Sequence, residues 1–111
     1  MSEAVFSIAR DFGLFAGPRK ARQGPHSGEA LRNKLLKFLD ANPGKVTIVL
    51  DGTKGMGSSF LDEAFGGLIR YDGKARSELE RRLCFQSKLD PSYVFTIEDS
   101  LARAEQDVSR H

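Results

Sequence analysis

Val46-Thr47-Ile48-Val49-Leu50-Asp51 runs into the glycine turn Gly52-Thr53-Lys54-Gly55-Met56-Gly57. Ser58-Ser59-Phe60-Leu61-Asp62-Glu63-Ala64-Phe65-Gly66-Gly67-Leu68-Ile69-Arg70 follows. This passage decides the fold class. Val46 to Leu50 is β-branched and nearly all apolar, the pattern of a strand whose two sheet faces are both covered. Lys45–Asp51 is therefore expected as a buried strand, and Gly52, Gly55 and Gly57 loosen the turn after it. Phe60, Leu61, Ala64, Phe65, Leu68 and Ile69 form two adjacent i, i+4 rows. A helix beginning at Ser58-Ser59 is thus expected to be the most buried in the protein. Ser59 with Asp62 approximates a capping box. Gly66-Gly67 would cost an exposed helix about 1 kcal/mol each, so close packing against the sheet is expected there.

Upstream, Val5, Phe6 and Ile8 place a short strand within Ala4–Ala9. Gly13, Gly17, Pro18, Gly24 and Pro25 punctuate a long loop, a feature that is often functional in a compact domain. Ser27 is a good N-cap and Glu29 puts negative charge in the first turn of the next helix. Leu31, Leu35, Phe38 and Leu39 give that helix one apolar stripe, and Asn42-Pro43-Gly44 stops it. Downstream, Arg76–Arg82 reads as a short polar helix and Leu83-Cys84-Phe85 as a final strand, with Cys84 in the core. Asp90 as N-cap and Pro91 at N1 open the last helix. Its stripe of Val94, Ile97, Leu101, Ala104 and Val108 should dock on the parent domain. The alternation predicts one α/β domain over 1–111: a small mixed sheet, its strands partly parallel, with helices packed against it.

Composition narrows the chemistry. The chain has 111 residues, a net charge of +2, two histidines and one cysteine. No disulfide can close within it, and a transition metal would find few ligands, so neither metal nor cofactor is expected. His26 has no evident nucleophile with a third orienting group, and no GxxxxGK[ST] run is present. A non-enzymatic protein is expected. The most apolar stretch, Val46–Leu50, is far short of the ~20 residues of a membrane span. Met1–Gly17 is interrupted by Arg10 and Asp11 and lacks a signal-peptide core, so the cytoplasm is the default compartment. The small net charge argues against a nucleic-acid partner.

The charge is unevenly placed. Residues 1–57 hold nine basic and five acidic residues; residues 58–111 hold eight and ten. Arg19, Lys20 and Arg22 lie between Phe12 and Gly28 without an acid among them. Either this is a solvated loop, or it is an anion-binding loop working with Ser27, Gly28, Glu29 and Arg32 at the following helix start. The helix start at Ser58-Ser59 also favours an anion. A phosphate on either serine would meet its free N–H groups, whereas plain capping needs no modification. Asp62 and Glu63 point about 100° apart on a helix and do not converge on one substrate atom. A solvated or interface role is expected for them; a partly buried Glu63 would most simply pair with Arg32.

Two stretches resemble the bacterial STAS-like family of unknown function. They are Gly17-Pro18-Arg19 with Gly24-Pro25-His26-Ser27-Gly28-Glu29-Ala30-Leu31-Arg32, and Gly57-Ser58-Ser59-Phe60-Leu61-Asp62-Glu63-Ala64-Phe65-Gly66-Gly67-Leu68. That family is similar to STAS domains, among them anti-sigma factor antagonists, in which a serine at a helix start is phosphorylated by a partner kinase. The resemblance implies a regulatory interaction module, with Ser58 as first phospho-acceptor candidate and Ser59 as second. It would bind a regulatory protein through Phe60, Asp62 and Glu63, beside a histidine-kinase-like ATPase. The chain departs from the antagonists at Gly57, where they usually carry aspartate, and at Phe60, where they usually carry glycine. The alternative from the residues alone is a small-ligand or nucleotide-binding domain using the basic loop.

Overall fold

Residues 4–109 are described by a computed structural model. Residues 1–3 and 110–111 of the expected domain span lie outside the described residues. Three strands, β1 (Ala4–Ser7), β2 (Val46–Val49) and β3 (Leu83–Gln86), form a sheet in the order β1-β2-β3. The helices are α1 (Gly28–Ala41), α2 (Ser58–Leu61), α3 (Gly67–Arg70), α4 (Arg76–Arg82) and α5 (Ser92–Ser109). A π-helical segment, Asp62–Gly66, joins α2 to α3 without a break, so the three form one composite helix.

The α/β layering is as expected, but both strand pairs are parallel where the element order predicted a mixed sheet. The reason is connectivity. Each strand is followed by a helical crossover, never a tight hairpin, and a crossover returns the chain in the same direction.

Register aligns Ala4, Val46 and Leu83 across the sheet, and then Phe6, Ile48 and Phe85. These side chains share one face, because residues alternate along a strand, and all the buried strand residues lie on it. Phe6 meets Phe38 of α1 edge-on at 5.3 Å, and Phe65 meets Phe85 at 5.7 Å. The other face is only partly covered: Val5 and Cys84 are exposed, and Thr47 and Val49 are half-buried. The expectation of a β2 covered on both faces is corrected accordingly, as is a core position for Cys84. The helices stack on one side of the sheet, and the strand positions in between look away from them.

Every residue from Phe60 to Ile69 is buried. This confirms the composite helix as the most enclosed element. Its N-cap is Gly57 and no side chain caps it. The expected Ser59–Asp62 capping box does not form, because Asp62 is turned inward to arginines. By contrast, Ser27 does cap α1, its hydroxyl accepting from the Ala30 N–H at 3.0 Å. At the other end of α1, Arg82 donates to the Leu39, Asn42 and Gly44 carbonyls at 2.7–2.9 Å, satisfying acceptors that a helix terminus leaves open. Asp90 accepts from the Ser92 N–H at the start of α5, and Ile97, Leu101 and Ala104 dock into the core. Among the described residues no helix is long and apolar enough to cross a membrane.

Ile48 lies at the centre of the sheet and is fully buried. Ile48→Ala is expected to cost about 2–5 kcal/mol. Urea unfolding should show this as a lower midpoint with an unchanged slope.

Candidate functional site

The composite helix brings two successive acids, Asp62 and Glu63, into the interior at 7% and 1% exposure. A carboxylate out of water is costly unless paired and hydrogen-bonded. Four cations therefore converge on this turn. Arg19 Nη1 lies 2.7 Å from Asp62 Oδ2, and Arg70 Nη1 donates to the same oxygen at 2.9 Å. Arg32, itself buried, bonds Glu63 Oε2, which Lys20 Nζ also reaches at 3.2 Å. Arg32 Nε stands 3.1 Å from Asp72, and Arg70 bonds Asp107 at 3.0 Å. Four cations and four carboxylates thus balance in one network. Tyr71 covers it, with Lys20 Nζ 4.4 Å and Arg32 Cζ 4.9 Å from the ring centroid, within cation–π range.

The π segment makes the paired arrangement possible. It carries more residues per turn than an α-helix, so neighbouring side chains diverge by less than the α-helical angle. Arg19 Nη1 accordingly lies near both acids, at 2.7 Å from Asp62 and 3.6 Å from Glu63. Close backbone approach does the rest. A Cβ on Gly28 would lie 2.5 Å from the Phe60 carbonyl oxygen, so only glycine lets α1 sit against the composite helix there. A Cβ on Gly67 would lie 2.8 Å from Arg32 Cδ and Nη1. The glycine pair therefore makes room for an arginine of α1 and, through Gly66, for the Arg70–Asp62 ion pair, each partner 3.0 Å from a Cβ placed there, rather than for the sheet.

Burial pushes the Asp62 carboxyl up, and this is the largest single effect. The hydrogen bonds and charges of Arg19 and Arg70 together overcome it and hold the group below the usual aspartate range.

The expected site residues divide into two sets. Phe60, Asp62 and Glu63, expected to face a partner, are interior; the acids serve as internal counter-ions and Phe60 packs against Phe12 at 6.1 Å between centroids. The basic loop is not simply solvated either, since Arg19 and Lys20 are bound to those acids. Arg22 stays exposed, beside a shallow pocket of about 420 Å³ shared with Lys20, Ala21 and Glu29. Glu29 pins the loop by accepting from the Ala21 N–H at 2.8 Å. The pairing of Glu63 with Arg32 is present. Ser58 and Ser59 are exposed.

Arg70, Asp72, Tyr71 and Asp107 also belong to the network, although no reading of the sequence singled them out. The one available signal was the Gly66-Gly67 pair, which marks a bulky neighbour without naming it.

At the start of α1 no amide is left for a ligand. The Gly28 N–H donates to the Pro18 carbonyl at 2.8 Å, Glu29 to Arg19 at 3.0 Å, and Ala30 to the Ser27 hydroxyl. The loop itself fills the anion position. Among the described residues, no group of three or more His, Cys, Asp or Glu is placed to hold a metal ion.

Two outcomes are expected. Glu63→Ala leaves buried Arg32 with Asp72 as its sole carboxylate partner and should cost about 3–5 kcal/mol. Arg32→Ala with Glu63→Ala should cost less than the sum by about 0.5–3 kcal/mol; additive losses in denaturant titrations would contradict the pairing. The second outcome concerns pH. A depressed carboxyl contributes stability that is whole above the unfolded aspartate value of about 3.9 and is lost as pH falls through the lower folded value. The stability gap between wild type and Asp62→Asn should therefore be widest near neutrality and close below about pH 4. A gap independent of pH would refute the assignment.

Residues 27–91, more than half of the chain, match the family described as STAS-like domain of unknown function (DUF4325). No curated protein and no solved structure matches the chain. The match spans α1, β2, the composite helix with its two acids, α4 and β3, and so takes in Arg32, Glu63 and both exposed serines. With that match and the parallel α/β architecture, the chain belongs to the family of STAS-like domains of unknown function.

Proposed function

We propose that the protein is a non-enzymatic regulatory interaction module whose contact surface centres on Ser58 and Ser59, and that phosphorylation there switches a protein partner. One observation carries this reading. Ser58 and Ser59 are exposed and do not cap the composite helix, while every residue from Phe60 to Ile69 is buried. A partner approaching the first turns of this helix therefore meets the two serines and not the acids behind them. The resemblance to anti-sigma factor antagonists supports the same residues, and it points to a histidine-kinase-like ATPase as the phosphate donor.

The physics favours a surface switch over an unfolding switch. A phosphoryl group adds about −1.5 to −2 charge. With Gly57 as N-cap, Ser58 and Ser59 occupy the first two helical positions, where the helix dipole favours negative charge. Modification would change the electrostatics of the exposed end without melting the helix. The small-ligand reading has less support, because the α1 amides and the Arg19 and Lys20 charges are already engaged within the chain.

Phosphopeptide mapping of the protein isolated from its native cells is expected to find phosphate on Ser58 or Ser59. Ser58→Glu should leave stability unchanged or raise it by up to about 1 kcal/mol, while altering which proteins co-purify with the chain. Identical partners for wild type, Ser58→Glu and Ser59→Glu would defeat the switch.

A further inference from the structure

β1 is an edge strand: β2 pairs with one side of it, and no described strand pairs with the other. An open edge presents main-chain groups that template further pairing. On the outer side of β1 those groups are occupied in an unusual way. The chain folds back through the π-helical turn Ile8–Phe12. Arg10 Nη2 then donates to the Val5 carbonyl at 3.2 Å, and Asp11 Oδ2 accepts from the Ser7 N–H at 2.8 Å. These two groups flank Phe6. One donor to the residue before and one acceptor for the residue after is what a single residue of a parallel neighbouring strand supplies. The two side chains are joined to each other at 2.8–2.9 Å. Together they imitate one residue of a missing strand.

This imitation is weakly held. The Arg10 side chain is 64% exposed, and an ion pair in that setting contributes little. Beside it runs an open groove of about 450 Å³ lined by Val5 and Phe6 of β1 and Phe38 of α1, with the exposed Lys34 and Lys37 of α1 on its rim. Lys34 Nζ is turned toward the Asp11 carbonyl at 3.3 Å, and Lys37 makes no ion pair among the described residues. Three cations thus face one carboxylate.

We propose that the outer edge of β1 docks an acidic, extended segment of a partner protein, which displaces the Arg10–Asp11 pair and joins the sheet as a fourth, parallel strand. Main-chain bonds to Val5 and Ser7 give the affinity, and the lysine rim selects acidic side chains, the division of labour usual when a peptide adds to a sheet edge. A second copy of this chain is a poor occupant, since it would bring the same basic rim against this one. This surface is separate from the Ser58 face and does not depend on it.

The test uses a short capped peptide of alternating valine and glutamate, titrated into isotope-labelled protein and followed by amide chemical shifts. Shifts should concentrate at Val5, Ser7, Arg10 and Asp11. Lys34→Glu with Lys37→Glu, both exposed positions, should weaken binding by about tenfold or more. Arg10→Ala with Asp11→Ala removes the imitation without changing net charge and should tighten binding severalfold. A lysine version of the peptide should not bind, nor should a glutamate version with methylated backbone nitrogens. Four results would overturn the proposal: equal binding of the methylated peptide, shifts centred elsewhere, no binding to the Arg10→Ala/Asp11→Ala protein, or dimerisation of that protein in sedimentation runs.

Discussion

Two carboxylates on successive residues of one buried helical segment are the constraint around which this fold is arranged. Neither can stay ionised in the interior alone. Satisfying them recruits Arg32 from α1, Arg70 from α3, and Arg19 and Lys20 from the loop before α1. That loop has one short 3-10 turn, Ala21–Gln23, and no other regular structure between the π-helical turn and α1. Its path is set by where its charges must go. The loop in turn supplies the Pro18 and Arg19 carbonyls that close the first turn of α1. Remove the acids, and the loop loses its two ionic anchors and keeps only its main-chain bonds and the Glu29 pin.

This arrangement separates two helix starts that look alike in sequence. Both begin with serine and glycine near a flexible turn. One is sealed by its own chain and forms part of the interior scaffold. The other, at Ser58, opens to solvent, and its helix has no other exposed residue until Arg70 at its far end, which is itself only partly exposed. The charge network and the exposed serines are therefore the inner and outer ends of one element. The network fixes the helix rigidly, and the rigid helix presents the serines.

Much of the fold was legible in the residues. Hydrophobic periodicity located α1, the composite helix and α5, because burial of one stripe is a local property of the chain. The Arg76–Arg82 helix and the strand after it also stand where expected. The faces of the sheet were not legible. A run such as Val46–Leu50 is apolar whether one side or both are covered, so only the placement of the helices decides, and they all lie on one side. Cys84 was misplaced for the same reason. The site was half legible. Arg32 and Glu63 could be paired on charge and apolarity, but the inward turn of Asp62 and Glu63 together depends on a π segment. No periodicity announces such a segment within an otherwise α-helical pattern. Arg70, Asp72 and Asp107 enter the network through tertiary packing alone.

The space at Gly67 is shared with Arg32, since a side chain at 67 would occupy the volume that holds the guanidinium. Positions 32 and 67 therefore behave as a single steric variable. A side chain at 67 would lie 2.8 Å from Arg32 Cδ and Nη1, so the arginine must move to admit it. A substitution at 67 that moves the arginine also disturbs the buried counter-ion of Glu63. The acid then rests on the loop cations alone, Lys20 at 3.2 Å and Arg19 at 3.6 Å. A glycine with no charge and no hydrogen-bonding side chain thus helps to set where the ionic core of this domain can lie.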